Sequence, residues 1–158
     1  MSDLELLRQA VATLAYRAGK TIRGAPESFA LFEPGPSTRT PFEIVAHMGD
    51  LFDWALTMLN SAPKWNSSQP LTWDLEIARF FAALKRFDDA LAAGPVSADL
   101  KIIFQGPVAD ALTHTGQLAM LRRLAGSPMK GESYARAEIV IGRVGIEQTP
   151  PNPKYEFD

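Results

Sequence analysis

His47, Asp110 and His114 are the residues whose types and spacing could do chemistry in this 158-residue chain. The chain has only two histidines, and both fall on apolar faces of segments with helical periodicity. Asp110 and His114 are four residues apart, so on a helix they share a face, with Cβ atoms about 6 Å apart. Leu118, Leu121 and Ala125 continue that face. The run ADALTHTGQLAML therefore aims a carboxylate and an imidazole at an apolar interior. An isolated carboxylate there is costly and must be paired, hydrogen-bonded or bound to a metal. His47 lies one helical turn from Ile44 and Leu51, at the margin of a core face. Imidazole nitrogen and carboxylate oxygen suit zinc, nickel, iron or manganese. Three protein ligands leave positions open for water or substrate, as catalytic sites do. The expectation is one divalent metal held by His47, Asp110 and His114. In the plainer reading Asp110 caps its helix, His114 bonds a carbonyl or Asp110, and His47 sits half-exposed at the edge of its stripe.

Four proline-free intervals must position these groups. A proline inside a helix costs about 3 kcal/mol, so the twelve prolines mark where helices can live. Helices are expected over about residues 3–23, 41–60, 73–93 and 107–125. Ser2 with Glu5 and Thr40 with Glu43 have capping-box spacing, and Pro41 suits a first helical position. Thr72 is a candidate N-cap, and Gly94 and Gly126 are candidate stops. The apolar stripes run through Leu7, Val11 and Leu14; Ile44, Met48 and Leu51; Phe80, Leu84 and Phe87; and Ala111, Leu118 and Leu121. Glu43, Asp50 and Asp53 are expected to point away from the second stripe. Four amphipathic helices of matched length make an all-α four-helix bundle in one domain, residues 1–158. The first connection is long enough for a crossover. The run IIFQG before Pro107 reads as an extra helical turn or a short strand. Segment 132–158 forms a short C-terminal extension, its first part helix or strand and its proline-rich tail irregular.

Composition narrows the functions. Net charge is −2, with no basic excess to neutralise phosphates, so nucleic acid is not an expected partner. Zero cysteines remove disulfides, Cys-zinc sites and cysteine nucleophiles. No run approaches the roughly 18 apolar residues of a membrane span. The charged N-terminus does not read as a secretory signal, and a cytoplasmic location is expected.

The run IVAHMGDLFDW on the second helix and DALTHTGQLAMLRRLAGSP on the fourth resemble the DinB/YfiT-like superfamily. The resemblance implies a four-helix bundle, a homodimer and a divalent metal commonly held by three histidines. Position by position, His47 matches the ligand of the second helix. His114 matches the second histidine of an H-x-x-x-H pattern, because Gly116 and Gln117 follow it as the family's G-Q pair does. Asp110 stands where the first histidine would be, which keeps a competent ligand or marks a metal-free member. The implied activities are thiol S-transfer with a low-molecular-weight thiol, or hydrolysis. In such an enzyme Gln117 is either a partner behind His114 or an exposed amide. Arg122, with Arg123, either attracts an anionic substrate or pairs with acidic side chains or the helix end. Trp54, Trp73 and the phenylalanines of the third helix wall a pocket or are plain core. The competing reading is a non-enzymatic dimeric binding protein with a buried His/Asp hydrogen-bond cluster and no metal.

Overall fold

A computed structural model describes residues 1–158. The four long helices are α1 (Asp3–Ile22), α2 (Pro41–Leu59), α3 (Trp73–Ala92) and, after a short α4 (Leu100–Ile103), α5 (Ala109–Leu124). Both expected capping boxes form. Ser2 Oγ accepts from the Glu5 N–H while Glu5 accepts from the Ser2 N–H, and Thr40 and Glu43 do the same for α2. Thr72 begins α3 without a side-chain cap. Glu76 serves that end, accepting from the Leu71 N–H at 3.1 Å.

Each helix turns its apolar stripe inward. Val11, Leu14, Met48, Phe52, Phe80, Leu84, Phe87 and Leu118 are fully buried in one continuous core. Phe52 meets Phe80 and Phe87 with ring centroids 6.3 and 5.5 Å apart. A buried side chain of this kind contributes roughly 1.5–3 kcal/mol, so these stripes hold the helices together. α1 packs on α3 and α5, and α2 packs on the same two. Residues 23–40 therefore cross the bundle to link two diagonal helices, with a 3-10 turn at Glu27–Leu31 whose Phe29 plugs the core. No helix is long and apolar enough to cross a membrane.

Two sequence expectations need correction. The run before Pro107 is helix, one of its two expected forms, and not a strand, so the fourth helical segment does not start at Pro107. It starts at Leu100, capped by Asp99, and passes through a π-helical turn at Phe104–Val108 before α5. Proline lacks an N–H and crowds the carbonyl four residues back. The wider turn accommodates it, with the Ala109 N–H reaching back five residues to the Phe104 carbonyl. Asp50 does not point outward either. It is buried because Arg79 of α3 lies against α2, donating to Asp50 at 2.9 Å, Glu76 at 2.9 Å and the Ala46 carbonyl at 2.6 Å. Gly49 makes room: a Cβ there would stand 2.8 Å from the guanidinium carbon.

The C-terminal extension is mostly irregular: residues 139–141 form no strand, and the tail, expected to be irregular, supplies one. A 3-10 turn spans Tyr134–Arg136, and β1 (Gly131–Glu132) pairs antiparallel with β2 (Glu156–Phe157). Buried Lys20 of α1 anchors the pair, donating to Glu132 at 2.7 Å and Glu156 at 2.9 Å, while the Tyr16 hydroxyl donates to Glu132 at 2.8 Å.

Candidate metal centre

α2 and α5 are neighbours in the bundle, and this brings the three sequence-selected groups together. The Thr40 cap and Pro41 start α2 so that His47, two turns in, faces α5. Asp110 lies in the first turn of α5, directly after the π turn, and His114 lies one turn on. His47 Nε2 is 3.4 Å from Asp110 Oδ2, and His114 Nε2 is 3.5 Å from Asp110 Oδ1. The imidazole rings meet edge to face, 4.9 Å between centroids. One ligand atom from each of the three residues lies within 4.8 Å of the others.

Asp110 does not point into the apolar centre as its helical face suggested. Its side chain is 45% exposed, whereas that of His114 is 10% exposed. The triad is thus a rim site, with an imidazole floor and a carboxylate at the solvent edge. That placement removes most of the cost of burying a carboxylate.

Gln117 lies behind His114, its amide oxygen 2.7 Å from Nδ1. An oxygen accepts, so Nδ1 carries the proton and in the neutral ring Nε2 presents a lone pair. That lone pair faces a carboxylate oxygen. A ring proton satisfies either histidine–Asp110 contact, and a cation between the atoms would satisfy both at once. Two ligands each roughly 2.0–2.1 Å from a tetrahedral zinc stand about 3.4 Å apart, close to both contacts with Asp110. Two imidazoles and a carboxylate are a donor set that fits a divalent metal. Burial, and then the positive charge of Arg39, hold the His47 pKa below the ordinary histidine range. Its nitrogen is thus available to a metal at neutral pH.

No protein-family model, curated protein or solved structure matches the chain. The functional assignment therefore rests on the site itself.

Of the other sequence-selected residues, Gln117 belongs to the site and Arg122 does not. Arg122 is two turns further along α5 and buried, donating to the carbonyls of Thr21 at 2.9 Å and Ser127 at 2.6 Å. It serves helix ends, those of α1 and of α5, where carbonyls lack helical partners. Trp73 packs on Phe29, away from the triad, and the α3 phenylalanines are core. Trp54 does approach, through an unforeseen neighbour. Trp65, in the α2–α3 connection, packs obliquely on His47 with ring centroids 5.7 Å apart and edge-on to Trp54 at 5.8 Å. Arg39 was also missed. Both lie in irregular segments, where periodicity carries no signal. Two clefts reach the triad. One of about 450 Å³ opens beside His114 and Gln117, and one of about 420 Å³ opens beside Asp110 and Trp54.

Proposed function

We propose that the protein is a DinB-like, divalent-metal-dependent enzyme acting on a small molecule, by thiol S-transfer or by hydrolysis. The observation that carries this reading is the convergence of His47, Asp110 and His114, whose ligand atoms lie within 4.8 Å of one another, with Gln117 Oε1 2.7 Å behind His114 Nδ1. His47, Asp110 and His114 would hold the metal. Bound there, a divalent cation lowers the pKa of a water or thiol at its open positions and so supplies a nucleophile near neutral pH. Asp110 contributes one negative charge and moderates that acidity. The buried imidazoles fix the position of the centre, and Trp65 shields the His47 side from water. The half-exposed Asp110 edge and the two flanking clefts give small molecules access, which supports turnover rather than a closed structural site.

Elemental analysis of untagged protein tests the reading. About one zinc, nickel, iron or manganese ion per chain, absent from His114→Ala, is expected. A metal-free wild type whose stability is indifferent to a chelator would favour the competing reading, a non-enzymatic dimeric bundle with a His/Asp hydrogen-bond cluster. Light scattering at micromolar concentration tests the homodimer that the resemblance carries.

A further inference from the structure

The cleft beside His114 has an unused cation at its rim. Its apolar walls are Pro34, Ile44, Met120 and Leu121, and Arg39 stands among its lining residues. Arg39 is exposed and makes no hydrogen bond, ion pair or ring contact within the protein. Arg8, Arg79 and Arg86 pair with carboxylates. Arg23, Arg122 and Arg143 donate hydrogen bonds, and Arg17 and Arg136 lie over tyrosine rings. Only Arg123, outside this cleft, is as free as Arg39. The closest carboxylate in sequence, Glu43, is occupied by the Thr40 N–H and hydroxyl in the α2 cap.

We propose that this cleft binds a small monocarboxylate with an apolar body. The carboxylate meets the Arg39 guanidinium in a bidentate pair, the body lies against Ile44 and Met120, and the far end is presented to His114. A guanidinium fork matches a carboxylate in shape and charge. No lysine lines the cleft and the α2 N-terminus is already capped, so Arg39 is the one basic side chain on its wall and offers a single fork for a single carboxylate. The orientation rests on the reading of the triad as the reactive centre.

The test titrates zinc-loaded full-length protein with hexanoate, hexanol and hexyl phosphate, following amide chemical shifts, with zinc content measured on the same samples. A bidentate pair at a solvent-facing rim is a modest gain, so hexanoate is expected to bind several-fold more tightly than hexanol. Arg39→Ala should abolish that advantage and Arg39→Lys should keep part of it, both at unchanged zinc content. Hexanoate binding that survives Arg39→Ala and disappears with His114→Ala would place the carboxylate on the metal and overturn the proposal. Equal binding of hexanol, or Arg39-dependent preference for hexyl phosphate, would overturn it too. Arg39-dependent hexanoate binding to protein that takes up no zinc would instead uphold the cleft assignment and sink the metal reading.

Discussion

His114 Nδ1 and Gln117 Oε1 are 2.7 Å apart on adjacent turns of α5, and this contact decides which nitrogen of His114 faces Asp110. Partners of this kind typically cost 10–100-fold in metal affinity when removed. Gln117→Leu is expected to weaken zinc binding by about that factor without changing helicity. Gln117→Glu, which still accepts from Nδ1, should bind nearly as wild type. Competition against a chromophoric chelator measures both. Equal affinities in all three proteins would show that the amide does not orient the ring.

His47→Ala and Asp110→Ala should each lower zinc affinity by more than tenfold while far-ultraviolet circular dichroism stays unchanged. His47 lies at the bundle edge and Asp110 is half-exposed, so neither truncation opens the core. Asp110→His restores the three-histidine set implied by the resemblance and should bind zinc. Full occupancy in both alanine variants would defeat the triad.

Arg79 joins Asp50 and Glu76 between α2 and α3, and the Glu76 side chain is wholly buried. Removing one partner of a buried pair costs about 3–5 kcal/mol because a charge is left uncompensated. Arg79→Met is expected to lose about that much in urea unfolding. A loss below about 1 kcal/mol would mean that solvent screens the network, as at an exposed pair.

Burial and the hydrogen bond to Glu132 raise the Tyr16 pKa. Its folded value therefore lies above the unfolded value of about 10. The associated stability is fully present below the unfolded pKa and is lost as pH rises through the folded one. Thermal melts should begin to fall near about pH 10 and keep falling as the pH rises further, and Tyr16→Phe should flatten that fall. An equally steep decline in the variant would assign the alkaline transition to another group.

Much of the molecule is legible one helix at a time. Ser2 with Glu5 and Thr40 with Glu43 cap α1 and α2 through residues three apart, and the apolar stripes follow the helical period. That is enough for a helical bundle, and for Asp110 and His114 sharing a face. Local spacing also placed Gln117 one turn past His114. It could not say that the amide bonds the ring, because that depends on both rotamers.

Packing between elements set the rest. Position 50 reads as surface until Arg79 arrives from α3 through the gap at Gly49. Asp110 reads as buried until the π turn before α5 and the neighbouring α2 leave it at the rim. Arg122 reads as a partner for an anionic substrate or for a helix end until the carbonyls at the ends of α1 and α5 take it. Trp65 and Arg39 reach the site from irregular segments that obey no period. A repeat along the chain records which side of a helix is apolar. The neighbour that side meets, and how deep each polar group then lies, are properties of contacts between residues far apart in sequence.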